Sequence, residues 1–340
     1  MKVVLAGDLH AADRPPSRCT DTYRADMLDL LHQAVSLATA LMAPLVLAGD
    51  IFHSKAPSRV SHRLILDLIS VLRRCQTPVY VVPGNHDMQN DRIDSLLEGQ
   101  PLGVLAAAGV VRLLVEWDLK NYSGAMGDKP PLVYGVPWLQ HWTEAAVWAA
   151  LKPYRETTLV ATRSARPLVV AHAPLYPPGS ELKWEYFPAA EFAEAMGGWG
   201  SVFYGHVHEP HGIYQVATEG SRLDVVAPGQ VTFCNYGALS RGSLHEYNLT
   251  RSVGVTVWDS DTGEFEFIAL KARPASEVFK LTEAEAEQGT TDRLTDFLAG
   301  IEAADLQVVS IESVLEHIKA QPGVGKDEAD LIEELLQGAQ

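Results

Sequence analysis

An α/β fold built on a largely parallel sheet is predicted by three features of this sequence. Short runs of β-branched and aliphatic residues recur along the chain, and segments of helical periodicity separate the first three. With 340 residues and 47% apolar content, the chain can bury a large core.

Val3-Val4-Leu5 is the first predicted strand. Thr22 to Leu41 follows as a helix, with Leu28, Leu31, Val35 and Leu37 among its apolar positions. Leu45-Val46-Leu47 is the second strand, Ser58 to Arg74 the second helix, and Val79 to Val82, just after Pro78, the third strand. This βαβαβ opening implies parallel strands whose sheet needs cover on both faces. Further strands are expected at Val111 to Val115, Leu132 to Val136, Leu168 to Val170, Val202 to Tyr204, Leu223 to Ala227 and Val231 to Asn235. Val253 to Trp258 and Phe265 to Leu270, joined across Asp259 to Gly263, read as an antiparallel hairpin, so the sheet becomes mixed. Composition shifts near Ala272-Arg273-Pro274. Beyond it, Thr291 to Ile301, Ser310 to Lys319 and Asp327 to Gln337 carry helical spacing, with Pro322 to Gly325 as a joint.

The net charge of -16 is unevenly placed. Residues 281 to 340 hold 14 acidic and 3 basic side chains, hence 11 of the excess negatives, and the rest of the chain is only mildly acidic. Overall acidity therefore does not exclude a polyanionic substrate. Cys19, Cys75 and Cys234 are odd in number and widely spaced, as expected of a reducing compartment. Met1-Lys2 leads straight into the first strand without a leader, and no apolar run approaches the ~20 residues of a membrane span. The expectation is a soluble cytoplasmic protein with no membrane partner.

Five motifs stand directly after predicted strands: Gly7-Asp8-Leu9-His10, Gly49-Asp50-Ile51-Phe52-His53, Gly84-Asn85-His86-Asp87, Ala171-His172-Ala173 and Gly205-His206-Val207-His208. In an open α/β sheet that edge is where sites assemble. Any one motif is common as a turn or cap, and His172 alone would read as a core histidine; the weight comes from all five in order. Phosphodiester hydrolysis needs an activated water and positive charge against the phosphoryl oxygens, and two divalent ions ~4 Å apart supply both. Asp8, His10, Asp50 and His208 are assigned to one ion; Asp50, Asn85, His172 and His206 are assigned to the other, with Asp50 as bridge. Asp8 and His10, like His206 and His208, alternate along extended chain, so each pair shares a face only if the backbone twists after the strand. His86 is expected to point into the site without binding metal and to donate to the phosphate or protonate the departing oxygen, with Asp87 orienting it. His53 is a second candidate for phosphate contact. His32, His62, His141, His211, His245 and His317 read as surface or packing residues.

With these residues the chain resembles the calcineurin-like metallophosphoesterases. Gly49 to His53 followed by Pro57-Ser58 is similar to the SbcD-type nuclease subunit of the double-strand-break repair complex, as is Asn235 to Arg241 to a Gly-Ser-Leu-x-Arg segment of those nucleases. Protein phosphatases of the superfamily carry an Asp-Arg pair after the bridging Asp, absent here. The resemblance covers residues 1 to about 275. It implies a four-layer αββα sandwich over 1–272 and a small α-rich or α/β appendage over 273–340 that caps DNA, binds a partner, or both. It also implies manganese dependence, exonuclease and endonuclease action on DNA, an SbcC-type, SMC-like ATPase as partner, and a homodimer. Mixed Asp, His and Asn ligation itself permits manganese, iron or zinc. A small-molecule phosphodiesterase or phosphatase is the second expectation, and a non-catalytic scaffold the third. Nuclease action predicts a basic track, for which Arg14, Arg18, Arg24, Lys55, Arg59 and Arg92 are candidates.

Overall fold

The computed structural model describes residues 1–16, 18–115, 133–160, 167–180, 186–218 and 229–281. Its strands are β1 (Lys2–Ala6), β2 (Leu45–Leu47), β3 (Val79–Val81), β4 (Arg112–Leu113), β5 (Val133–Val136), β6 (Leu168–His172), β7 (Leu175–Tyr176), β8 (Phe187–Pro188), β9 (Trp199–Gly205), β10 (Gly212–Thr218), β11 (Gly229–Asn235), β12 (Gly254–Asp259) and β13 (Phe265–Ala269). One sheet has the order β13-β12-β1-β2-β3-β4, the other β10-β11-β9-β6-β5, and β7 pairs with β8 apart from both. β1 to β4 run parallel, as the βαβαβ opening predicts, and β12 adds to β1 antiparallel with β13 beyond it. In the second sheet only the β10–β11 pair is antiparallel.

The period of two along each strand divides its side chains between two cores. Val3 and Leu5 of β1, Val46 of β2, Leu168 and Val170 of β6, Phe203 of β9 and Trp258 of β12 form a central cluster drawn from both sheets. Val4, Leu45, Leu47, Val79 and Val81 point the other way, against α1 (Tyr23–Ala40) and α2 (His62–Leu72). Between α2 and β5 lie two short helices, α3 (Ser95–Gly99) and α4 (Pro101–Ala107). Val169, Ala171, Val202, Tyr204 and Phe233 form the third cluster, with side chains from α5 (Glu144–Val160) and α6 (Ala189–Ala195). The order helix, sheet, sheet, helix is the four-layer α/β sandwich. Each fully buried aliphatic side chain contributes on the order of 1.5–3 kcal/mol, so three such cores hold the strand ends firmly.

Several elements differ from expectation. The helix predicted over Ser58 to Arg74 is broken: Pro57–Arg59 makes a single 3-10 turn, Val60 is extended, and α2 starts at His62. The Ser61 hydroxyl accepts the Leu64 N–H at 3.1 Å, and Asp13 accepts the Ser61 N–H, so a side-chain cap stops the helix from running back. The strand expected over Val111 to Val115 pairs only at Arg112–Leu113. β10, α5 and α6 have no counterpart among the expected elements. The strand expected at Leu223 to Ala227, Leu132 and the three helices after residue 290 lie outside the described residues.

The chain continues past the last strand without leaving this unit. After α7 (Glu246–Thr250) and the β12–β13 hairpin, α8 (Ala275–Val278) follows, and Phe279 bridges back to Cys19. Met1–Lys280 makes one compact unit. Among the described residues, no helix is long and apolar enough to cross a membrane.

Candidate metal centre

The five motifs converge at the ends of β1, β2, β3, β6 and β9, and three non-glycine residues in the left-handed region explain how. His10 (φ 47°), Asp50 (φ 46°) and His206 (φ 80°) each reverse the chain just past a strand. This is the twist that lets Asp8 and His10, and His206 and His208, face one point. Such backbone costs about 1–3 kcal/mol per residue and persists only where neighbours hold it. Here they do: Leu9 and His10 donate their N–H groups to the Asp50 carbonyl (3.1 and 2.8 Å), and Leu239 and Ser240 donate theirs to the Asp8 carbonyl (2.9 and 3.3 Å). Gly49, at φ 91°, lies against the His172 ring, where any Cβ would collide.

On one side, His10 Nε2 lies 2.8 Å from His208 Nε2 and 3.8 Å from Asp50 Oδ2, and His208 Nε2 lies 3.9 Å from Asp8 Oδ1. On the other, His172 Nε2 is 3.0 Å from Asn85 Oδ1 and 3.4 Å from Asp50 Oδ1, and His206 Nδ1 is 3.3 Å from the same Asn85 oxygen. Asp50 thus turns one oxygen toward each cluster. His172 Nδ1 sits 2.8 Å from the Ala48 carbonyl, which fixes the N–H there and directs Nε2 inward.

This donor set fits divalent cations. Lone pairs of imidazole, carboxylate and amide oxygen meet with few protons between them, an arrangement a cation or added protons must satisfy. Asp8, His10 and His208 form one group whose ligand atoms lie within 4.8 Å of one another; Asp8, Asp50 and His172 form a second, and His10, Asp50 and His86 a third. His86, expected to stay off the metal, is therefore near enough to share an ion.

The electrostatics agree. Burial would raise the Asp50 carboxyl, but the His172 charge and hydrogen bond, followed by His10 and His86, hold it well below the usual carboxylate range. Burial would lower His172, and Asp50 overrides it, raising the imidazole to about 9. Burial, then the neighbouring His208, drives His10 well below its ordinary value; burial also lowers His208 and His53.

Asp87 departs from expectation. It does not orient His86: its Oδ1 accepts the Ile51 and Phe52 N–H groups at 2.9 and 3.2 Å, and its Oδ2 accepts the Gly84 N–H at 3.0 Å. The carboxylate pins the loop after β2 to the loop after β3. Burial and the negative Asp50 push it up to about 7, against the pull of the amides. His86 is oriented instead by the His53 carbonyl, 2.7 Å from its Nδ1, and the His53 ring stands beside it, partly exposed and partly covered by its neighbours. His86 and His53 line up edge-on to His10, with centroids 5.2 and 5.6 Å away.

Two contributors carry no sequence signal. Trp138, just past β5, lies 4.5 Å from the His206 ring and 6.0 Å from His172, walling that side. Tyr23 reaches the His10 carbonyl from α1. Of the basic track, Arg24 is held between Asp13 and Asp67 (2.9 and 2.8 Å), and Lys55 pairs with Asp91 at 3.0 Å. Exposed Arg92 reaches Asp94 at 3.6 Å, while Arg14 and Arg59 are exposed.

A family model for the calcineurin-like phosphoesterases matches residues 1–210, a span containing all five motifs. The chain belongs to this family. Its members hydrolyse phosphoesters with divalent metal ions, the chemistry the converged donors suit. Comparison with curated proteins gives no match. In this calcineurin-like phosphoesterase the matched span stops short of β10 to β13, yet β12 flanks β1 and the 237–241 segment braces Asp8.

Proposed function

We propose that this phosphoesterase is a DNA nuclease, the SbcD-type subunit of an SbcCD-like repair or processing complex, working with an SMC-like ATPase and as a homodimer. The observation that carries this reading is the His53–His86 contact: the residue ending the nuclease-like Gly49 to His53 motif holds the His86 imidazole edge-on to His10. Asp8, His10, Asp50 and His208 would hold one cation, and Asp50, Asn85, His172 and His206 the other. When bound, manganese or a similar pair supplies Lewis acidity and offsets phosphoryl charge. With Nδ1 committed to the His53 carbonyl, His86 Nε2 is the nitrogen left to pass a proton to the departing oxygen. His53 contacts a phosphate oxygen beside it, and Trp138 keeps water from the His206 side. In this reading the segment after residue 272 caps DNA or docks the ATPase.

The pairing of Arg24 and Lys55 with carboxylates favours a second reading, a phosphodiesterase acting on small esters, because those cations are already neutralised. Turnover of linear duplex DNA, single strands and cyclic nucleotides, compared with manganese and with chelator, decides between them. Manganese-dependent DNA cleavage supports the nuclease; robust small-ester turnover without DNA cleavage replaces it.

A further inference from the structure

We propose that Tyr23 is a positioning residue for His10, acting through the backbone of the metal loop rather than on the imidazole. The inference rests on the reading of His10 as a metal ligand. A ligating histidine ordinarily donates its second ring N–H to a carbonyl or carboxylate, which sets the ring's direction. His172 does so through Ala48. His10 does not: its Nδ1 is buried without a hydrogen-bond partner among the described residues. The ring's direction therefore depends on the backbone that carries it, and that backbone is strained at φ 47°.

Three hydrogen bonds hold the two peptides of the strained residue, one of them from the Ala11 N–H to the Ile51 carbonyl at 2.7 Å. The His10 N–H reaches the Asp50 carbonyl at 2.8 Å, and the His10 carbonyl accepts the Tyr23 hydroxyl at 2.8 Å. Tyr23 is 2% exposed, so its hydroxyl is shielded from bulk water. The same oxygen lies 3.2 Å from Ser240 Oγ, whose residue donates its N–H to Asp8. One phenol thus joins α1, the metal loop and the 237–241 segment. The start of α1 is itself anchored: Thr20 and Thr22 donate to the Glu277 carbonyl (2.7 and 3.1 Å), and Asp26 accepts from Arg241 and from the Arg273 N–H, both at 3.3 Å. Tyr23 cannot follow the loop if it relaxes, so it restrains the loop.

A hydroxyl that merely satisfied itself would change stability alone; a positioning hydroxyl changes metal affinity, and does so only while His10 is present. The full chain is titrated with Mn2+, read by the paramagnetic resonance of the free ion, as wild type, Tyr23→Phe, His10→Ala and the double variant. Tyr23→Phe is expected to weaken one of two ions by about tenfold, the worth of one hydrogen bond, and to add nothing in the His10→Ala background. Unchanged affinities, or a loss that adds to that of His10→Ala, would overturn the inference. With 3-fluorotyrosine at position 23, in protein whose circular dichroism matches wild type, a Zn2+ titration should move the fluorine resonance as the His10 ion fills; a stationary resonance also overturns it. Wild type that binds no ion sinks the metal-centre reading instead.

Discussion

His86 Nδ1 stands 2.7 Å from the carbonyl oxygen of His53, a residue 33 positions earlier in the chain. The contact commits one ring nitrogen and leaves Nε2 as the only one able to meet a substrate. His86→Gln is expected to keep two Mn2+ and lose roughly 10²–10⁴-fold in turnover, the span of a general acid. Asp50→Asn is expected to lose metal as well. Metal counting on both variants checks this, and loss of an ion from His86→Gln would make His86 a ligand.

Asp87 accepts three backbone N–H groups that are sealed from water. Asp87→Ala strands those donors at about 1–3 kcal/mol each, so the metal-free protein should melt several degrees lower. Asp87→Asn, which retains one acceptor oxygen, should lose less. Equal melting temperatures for all three proteins would show that the two loops hold each other by other means.

His172, raised to about 9 by Asp50 over the opposing effect of burial, carries a proton at neutral pH when no metal is bound. Its folded value exceeds the unfolded one, so its stabilisation is full below about pH 6.5 and is lost as pH rises through 9. Asp87, at about 7, drives stability the same way through that value. Metal must displace the His172 proton. Apparent Mn2+ affinity should therefore rise by up to tenfold per pH unit and level near pH 9, with proton release visible in weakly buffered dye. Affinity flat from pH 6.5 to 9 would contradict the pairing of His172 with Asp50.

Gly84 has no room for a methyl group: a Cβ would overlap the Asp50 carboxylate and its backbone nitrogen. Since Asp50 is already strained, it must shift rather than yield slightly. Gly84→Ala should bind Mn2+ at least about tenfold more weakly while keeping its circular dichroism, because a misfit worth one hydrogen bond would displace the carboxylate that faces both clusters. Wild-type affinity would show that the loop after β3 can move away.

The positions of the metal-binding candidates were legible because strand ends are. A run such as Val79 to Val82 cannot continue through Pro83-Gly84, so the polar residues behind it fall on the sheet edge whatever the rest of the chain does. Asp8, His10, Asp50, Asn85, His172, His206 and His208 all stand there, and the layered α/β architecture follows from the same alternation. Helix limits were less legible: Ser61 stops α2 because Asp13 and Leu64 meet it, and only the first of those is distant in sequence.

The sequence by itself determined which chemical groups reach the sheet edge, since that depends on local periodicity and on turn residues. Tertiary structure alone decided what each group does there. Asp87 staples two loops instead of steering His86, the His53 carbonyl takes that task, and Tyr23, Ser240 and Trp138 close around the centre from other parts of the fold. Hydrogen bonds and ring contacts act over a few ångströms regardless of sequence separation, so their partners exist only once the two sheets have packed.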